Sequence, residues 1–167
     1  MKKILFTDLD GTLIVIKSGE TFPKDTHDWK FKDGIIQAIQ NYKPDLVYIV
    51  TNQGGIELGY VDELEFNIKL SDIEYHFATS TFIPISHDYC ASNNPRDPLR
   101  KPNTGLLVPM FATMSDYSNV EYLMIGDVSG RPGSFSGSDR QCADNAKVPY
   151  MDVEDFIKTY SVCSKQS

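Results

Sequence analysis

The chain contains short, unbroken runs of apolar residues that are separated by segments with helical periodicity. The clearest runs cover residues 4–6, 46–50 and 122–125. Each is too short for a typical helix and lacks the polar alternation of a half-exposed strand, so we expect strands buried on both faces. Further strands are predicted at residues 81–86 and 149–151, and helices at residues 34–42, 61–77, 106–114, 139–146 and 153–160. Strands that alternate with helices predict an α/β fold, a three-layer sandwich with a central parallel sheet.

Length and composition indicate a single soluble domain. The 167 residues suit one domain spanning residues 1–167, with residues 14–33 as an inserted loop or flap. No apolar run is long enough to span a bilayer, and the apolar stretch near the N-terminus is too short for a signal peptide. Three widely spaced cysteines do not indicate a disulfide framework. We therefore expect an intracellular protein without membrane contact, which is cytoplasmic or, in a eukaryote, nuclear.

The formal net charge of −7 limits how the protein could bind nucleic acid. A protein that contacts many phosphates usually carries a basic face, and this chain has no strong basic run. If the ligand is a nucleic acid, we expect contact with only a few nucleotides near one end.

Three of the predicted strands end in polar segments that contain glycine. They are Thr7-Asp8-Leu9-Asp10-Gly11-Thr12, Thr51-Asn52-Gln53-Gly54-Gly55 and Gly126-Asp127-Val128-Ser129-Gly130. Open parallel sheets bind ligands in the crevice at the carboxyl ends of their strands, so these segments predict one site. Asp8 and Asp10 point to the same side of an extended chain, and Asp127 would join them from another strand. Three carboxylates repel one another unless a cation lies between them, and oxygen ligands of this kind favour Mg²⁺.

The same residue types suit phosphoryl transfer. Asp8 can attack phosphorus and form an acyl phosphate. Asp10 can protonate the leaving oxygen and then activate the water that hydrolyses the intermediate. The hydroxyl and backbone N–H groups at Thr51 and the ammonium group of Lys101 suit the oxygens of a phosphate.

The ordered set of motifs resembles the haloacid-dehalogenase-like phosphatases. D-L-D-G-T follows the first strand, T-N follows the second, K-P precedes a helix and G-D follows a later strand. The resemblance implies a Rossmann-like sandwich with a minimal cap, with Asp8 as nucleophile and Asp10 as acid and base. The implied phosphate ligands are Thr51, Asn52 and Lys101. The implied Mg²⁺ ligands are Asp8, Asp10 through its backbone carbonyl, and Asp127.

A narrower set of motifs looks like the 3′-phosphatase domain of polynucleotide kinase/phosphatase. The motifs are S-G-E-T-F-P at 18–23, D-W at 28–29, T-N-Q at 51–53, R-K-P-N-T-G at 100–105 and G-D-V-S-G-R-P at 126–132. This resemblance covers nearly the whole chain and implies hydrolysis of a 3′-phosphate at a DNA or RNA end. The nucleic acid end would be the substrate, and a separate 5′-kinase or ligase is the partner to expect. The loop after T-N-Q lacks an arginine that is common in that family, which predicts weaker duplex binding.

Two other functions fit the same catalytic residues. Histidinol-phosphate and heptose-bisphosphate phosphatases look similar at residues 8–12 and 51–53, but they commonly carry a cysteine/histidine zinc loop before the K-P motif. Residues 87–100 contain one His and one Cys, too few ligands for a tetrahedral zinc site. A catalytically silent module that binds a phosphorylated end is the other alternative, and the complete catalytic set argues against it.

Three residues outside the strand ends are further candidates. Arg131 either contacts the substrate backbone or pairs with an acidic neighbour and braces its loop. Asp139 is predicted to cap a short helix and to support the site from outside the set of metal ligands. Trp29 is predicted to anchor the flap by packing, and a base-stacking platform is the less favoured alternative.

Overall fold

The computed structural model describes residues 1–127 and 137–161. The strands are β1 (Lys2–Thr7), β2 (Ile14–Val15), β3 (Lys30–Phe31), β4 (Leu46–Asn52), β5 (Ile85–Cys90), β6 (Val120–Gly126) and β7 (Tyr150–Asp152). The helices are α1 (Ile35–Tyr42), α2 (Glu63–Thr81), α3 (Val108–Thr113), α4 (Ser138–Ala146) and α5 (Val153–Tyr160). Five strands form a parallel sheet in the order β5-β4-β1-β6-β7. Within the described residues, no helix combines the length and apolarity needed to cross a bilayer.

Successive side chains of the central strand enter two separate core layers. Leu5 packs into the layer formed with α1, α2 and α5, where Ile39 and Phe77 are fully buried. Phe6 points to the other face, where α3 and α4 contribute Met110 and other buried residues. Because β1 is covered on both sides, its side chains are apolar without alternation. The predicted three-layer α/β fold is confirmed.

The predicted flap contains the antiparallel β2–β3 hairpin. Asp28 holds the chain between these two strands, since its Oδ1 accepts from the Ser18 N–H at 2.7 Å. Its Oδ2 accepts from the Ser18 hydroxyl at 2.7 Å and from the Lys24 N–H at 2.9 Å. The neighbouring Trp29 lies edge-on to Phe31, with ring centroids 5.2 Å apart, and packs against the core. The prediction that Trp29 is a packing anchor for the flap is confirmed.

Two predicted elements differ from the structure. The strand predicted at residues 81–86 is β5, which begins at Ile85 and ends at Cys90, beyond the predicted end. It lies at the edge of the sheet, where polar side chains are tolerated, so no continuous apolar run marks it. The helix predicted at residues 61–77 is α2, which begins at Glu63 and continues to Thr81. Leu64, Ile68 and Tyr75 are exposed on it, and they blur its periodicity.

His87 and Glu74 connect the edge strand to α2, with Nδ1 of His87 2.6 Å from Oε1 of Glu74. The hydrogen bond to Glu74 raises the pKa of His87. Partial burial acts in the opposite direction, and the negative charges of Glu74 and Asp88 add to the increase. Because the pKa of His87 is raised in the folded state, the protonated imidazole stabilises the fold, and this stabilisation is complete below the unfolded pKa of about 6.5. That stabilisation is lost as the pH rises through the folded pKa.

We therefore expect Glu74→Gln to lower the melting temperature by about 2–4 °C near pH 6, and by less near pH 8.5. Thermal melts of both proteins at the two pH values measure the difference. Asp72→Asn is the matched control, because it removes a more exposed contact to His76 at 3.3 Å and should change the melting temperature less. An equal loss at both pH values for Glu74→Gln would show that the charged form of His87 is not what stabilises the pair.

Candidate active site

The carboxyl end of β1 places Asp8 and Asp10 on either side of the buried Leu9. The Leu9 carbonyl accepts hydrogen bonds from the N–H groups of Thr12, Leu13 and Ile14. The chain therefore turns sharply, and Gly11 adopts a left-handed φ of +78° in this turn. A Cβ at Gly11 would lie 2.1 Å from Oδ2 of Asp127, so both the backbone conformation and the space require glycine. Asp8 is buried at the base of the crevice, whereas Asp10 is exposed at its opening.

Lys101 enters the same crevice from the segment between β5 and α3. Its buried ammonium group donates to Oδ1 of Asp8 at 3.0 Å, to Oδ1 of Asp139 at 2.6 Å and to the Val50 carbonyl at 2.8 Å. Burial by itself would lower the pKa of Lys101, but the charges of Asp8 and Asp139 outweigh it and raise the pKa. Lys101 is therefore a fixed cation that orients Asp8. Its predicted contact with a substrate phosphate stays a prediction.

Asn52 holds the main chain of Lys101. Its Nδ2 donates to the Lys101 carbonyl at 3.0 Å, and its Oδ1 accepts from the Lys101 N–H at 2.9 Å. The side chain thus joins the end of β4 to the segment that carries the buried lysine. Its predicted role as a phosphate ligand stays a prediction, since the contacts described here are made to Lys101.

Gln53 connects the ends of β1 and β4. Its Nε2 donates to Oδ2 of Asp10 at 2.9 Å and to the hydroxyl oxygen of Thr51 at 3.0 Å. The Thr51 side chain is buried at the strand end, as a residue facing the crevice should be. Sequence reasoning did not identify Gln53 as a site residue, although its position two residues after Thr51 places it on the same side of the strand end.

Asp8, Asp127 and Asp139 form a cluster of carboxylates in which one oxygen from each lies within 4.8 Å of the others. A Cβ at Gly126 would lie 2.4 Å from Oδ2 of Asp139, so a side chain there would displace this carboxylate. Desolvation and then the charge of Asp8 raise the pKa of Asp127 to about 6, although part of its side chain faces solvent. The same two causes, in the same order, raise the pKa of Asp139. Both shifts disfavour the charged carboxylates, first because burial removes water and second because the acids lie close together.

The cluster has the donor chemistry of a hard divalent cation site. All three donors are carboxylates, and Oδ2 of Asp139 is buried without a hydrogen-bond partner in the described part of the chain. A cation between Asp8 and Asp127 would offset the repulsion in the cluster, including that of the unpartnered Asp139 oxygen, so the residues fit the predicted Mg²⁺. The Asp10 carboxylate is not in this cluster and bonds to Gln53 instead. Asp10 could therefore join such a site only through its backbone carbonyl, as the resemblance implied.

Asp139 does not cap α4, and that part of its prediction is wrong. The N-cap residue is Gly137, which makes no side-chain capping bond. Asp139 is 1% exposed and contacts Lys101, so its side chain points into the crevice rather than back along the helix. Its predicted position outside the set of metal ligands stays a prediction, since its carboxylate lies in the cluster with Asp8 and Asp127. Arg131 lies outside the described residues, and both of its predicted roles stay predictions.

A cavity of about 710 Å³ opens beside the crevice. Asp10, Gly11 and Gln53 form its inner side, where it meets the crevice. The flap forms one wall, and the segment that leads into α2 forms the other. The volume lies within the usual range for pockets that bind small ligands.

Comparisons with known proteins agree with this geometry. Residues 3–157 match the family described as "Polynucleotide kinase 3 phosphatase". The chain is 32% identical over 164 residues to a 20.8 kDa protein of Autographa californica nuclear polyhedrosis virus, covering 93% of this chain and 86% of that one. It is 31% identical over 166 residues to the bifunctional polynucleotide phosphatase/kinase of Schizosaccharomyces pombe, covering 96% of this chain. The match spans only 38% of the length of that relative.

Similarity also extends to sugar phosphatases. The chain is 29% identical over 140 residues to the D-glycero-beta-D-manno-heptose-1,7-bisphosphate 7-phosphatase of Pasteurella multocida, covering 76% of this chain and 72% of that enzyme. A solved structure of D,D-heptose 1.7-bisphosphate phosphatase from B. bronchiseptica, complexed with magnesium and phosphate, has a TM-score of 0.64 and 19% identity. It covers 98% of this chain and 89% of that chain. A solved structure of a putative had-like phosphatase from Mesorhizobium loti has a TM-score of 0.68 and 21% identity, covers 95% of this chain and 86% of that chain, and confirms the haloacid-dehalogenase-like fold. Because the family match covers nearly the whole chain, this protein belongs to the polynucleotide kinase 3 phosphatase family.

Proposed function

We propose that this protein is a Mg²⁺-dependent polynucleotide 3′-phosphatase, which hydrolyses the 3′-phosphate of a DNA or RNA end. One observation carries the proposal. A buried lysine holds Asp8 within a cluster of three carboxylates, in a chain that matches the polynucleotide kinase 3 phosphatase family over residues 3–157. The family supports hydrolysis of a phosphoric monoester, and the nucleic acid substrate is the further step proposed here.

The first chemical step is attack by Asp8 on phosphorus. Lys101 binds Oδ1 of Asp8, so we assign the attack to Oδ2. An Oδ2–P bond forms while the P–O3′ bond breaks, which gives an acyl phosphate on Asp8. Asp10 in its protonated form gives its proton to O3′, so that the nucleic acid leaves as a 3′-hydroxyl. Gln53 orients the Asp10 carboxyl group through its hydrogen bond to Oδ2.

The second step hydrolyses the acyl phosphate. Asp10, now ionised, removes a proton from a water molecule as the water oxygen attacks phosphorus. The P–Oδ2 bond breaks, which releases inorganic phosphate and restores the Asp8 carboxylate. Lys101 keeps Asp8 oriented through both steps, because its contacts to Asp139 and Val50 do not depend on the substrate. Mg²⁺ held by Asp8, the Asp10 carbonyl and Asp127 would neutralise charge on the phosphate oxygens.

A small-molecule phosphomonoesterase of the histidinol-phosphate or heptose-bisphosphate type is the second candidate. The 29% identity to the Pasteurella multocida enzyme favours it. The zinc loop common in those enzymes finds no counterpart at the described residues 87–100. His87 pairs with Glu74 on one face of the sheet, whereas Cys90 is buried in the layer on the other face. Residues three apart on a strand point to opposite faces, so these two side chains cannot share a zinc ion.

A comparison of phosphate release from different substrates separates the two candidate functions. The assay measures phosphate release from a 3′-phosphorylated oligonucleotide, its 5′-phosphorylated counterpart, histidinol phosphate and heptose bisphosphate, each with Mg²⁺ and with EDTA. We expect kcat/KM for the 3′-phosphorylated end to exceed the others by at least about 100-fold, and EDTA to remove the activity. A preference for either metabolite would refute the polynucleotide substrate. Equal release from both oligonucleotides would refute 3′ specificity.

The reaction product suggests the partner. A 3′-hydroxyl end is what a ligase needs, so a separate 5′-kinase or ligase that acts on the same end is part of the proposal. Sealing of a nick that carries a 3′-phosphate and a 5′-phosphate tests the ligase order directly. We expect an added ligase to seal this nick only when the protein is present.

A further inference from the structure

The cavity beside Asp10 lies on the leaving-group side of the reaction. Asp10 is the residue that protonates O3′ in the proposed mechanism, and it lines the cavity together with Gly11 and Gln53. With a phosphate at Asp8, the group attached through O3′ extends past Asp10. The group that departs would therefore occupy this cavity.

The charge of the cavity lining argues against a second phosphate there. Besides Asp10 and the buried Asp28, four acidic residues line the cavity: Glu20, Asp25, Asp62 and Glu65. Among the described residues, the lysines that line it are Lys24, which pairs with Glu20 at 3.2 Å, and Lys69. Residues 54–62, which form the loop between β4 and α2, contain no lysine or arginine. A second phosphate would meet net repulsion, whereas an uncharged ring system would not.

Aromatic and aliphatic side chains form the rest of the lining. Tyr60 is 83% exposed at the cavity wall, and its ring contacts no other aromatic ring in the described part of the chain. Trp29 also lines the cavity, but Phe31 and His76 already lie against its ring. Val61 and Ile16 add aliphatic surface. Tyr60 is thus a large, unpartnered π-face beside the leaving-group position, which suits stacking of a planar base.

We propose that this cavity is a subsite for the base of the terminal nucleotide, with Tyr60 as its stacking platform. The inference rests on the proposed 3′-phosphatase function and adds how the end is recognised. The site holds one nucleoside by aromatic contact and makes no charged contact with the next phosphate. Tyr60 therefore contributes to substrate binding and takes no part in the chemical steps.

Binding can be followed by tryptophan fluorescence, because Trp29 is the sole tryptophan of the chain and lines the cavity. The probe is adenosine 3′-monophosphate, titrated into the full-length Asp8→Asn protein while tryptophan fluorescence is followed. We expect the nucleotide to quench Trp29, and an added Tyr60→Ala to weaken its binding by about tenfold. Tyr60→Phe should bind as the parent does, and Tyr75→Ala is the control at an exposed tyrosine outside the cavity. Unchanged affinity in Tyr60→Ala would overturn the stacking role.

A kinetic comparison separates failure of the subsite from failure of the function. Wild-type protein and Tyr60→Ala are assayed on two 3′-phosphorylated oligonucleotides that differ only in whether the terminal sugar carries a base. We expect Tyr60→Ala to lower kcat/KM about tenfold on the complete end through KM, and to leave the base-free end unchanged. Equal loss on both substrates, or no loss on either, would overturn the subsite while leaving the 3′-phosphatase intact. If wild-type protein hydrolyses neither oligonucleotide, the proposed function itself fails.

Discussion

Asp8→Asn is expected to lower kcat by at least about 10⁴-fold, because an amide cannot attack phosphorus to form the acyl phosphate. The substitution keeps the shape of the side chain, and its amide oxygen can still accept the hydrogen bond that Lys101 now donates to Oδ1. It also removes one of three crowded negative charges. The folded protein should therefore melt no lower than wild type, so that lost activity reports on chemistry.

Rapid acid quench of a reaction with ³²P at the 3′ end measures both the turnover and the covalent intermediate. Wild-type protein should carry labelled phosphate that is sensitive to hydroxylamine, as an acyl phosphate is. Asp8→Asn should carry none. Asp116→Asn, at an exposed aspartate that precedes the start of β6 and so lies beyond the opposite end of that strand from Asp127, is the control and should behave as wild type. Full turnover by Asp8→Asn, or label on that variant, would rule out Asp8 as nucleophile.

Lys101→Met is expected to destabilise the protein by about 3–5 kcal/mol, in addition to abolishing activity. Lys101 is 4% exposed and lies between two carboxylates, with its nitrogen 3.0 Å from Asp8 and 2.6 Å from Asp139. Removing the cation leaves two buried acids facing each other. Chemical denaturation monitored by circular dichroism measures the change, and Lys158→Met provides the control at a lysine outside the site.

Two further measurements identify the cause of that loss. Adding Asp139→Asn to Lys101→Met removes one of the uncompensated charges, so it should recover a large part of the stability without recovering activity. The deficit of Lys101→Met should also shrink as the pH falls from about 8 to about 5. The pKa of Asp139, already raised in the folded protein, would rise further without the lysine, and protonation at lower pH removes the repulsion. A variant as stable as wild type near pH 8 would show that the ion pairs do not hold this site together.

Local features of the chain were enough to predict the catalytic edge of the sheet. Residues 4–6 and 46–50 are unbroken apolar runs, and a run of this kind indicates a strand buried on both faces wherever it lies in the fold. The polar residues that follow such strands must meet at one edge, because parallel strands end on the same side. Asp8, Asp127 and Thr51 could therefore be assigned to one crevice before any packing was known.

Features set by the environment of a residue were harder to predict. β5 has polar residues along an edge position, so its strand character depends on pairing with β4 rather than on its own pattern. Asp139 looked like a helix cap because its type and position suit one, yet the packing of α4 turns its carboxylate inward. Gln53 gained a role only through its contact with Asp10, which lies 43 residues away in the chain.

The sequence by itself determined the α/β alternation, the acids at the strand ends and membership of the phosphatase family. Only the tertiary structure decided how those acids are held. Lys101 meets Asp8 across 93 residues and Asp139 across 38 residues of chain. The physical reason is that a lysine next to a proline carries no local signal of burial. Its charge becomes part of the site only when separate strands and a helix exclude water around it and place two carboxylates within hydrogen-bonding distance.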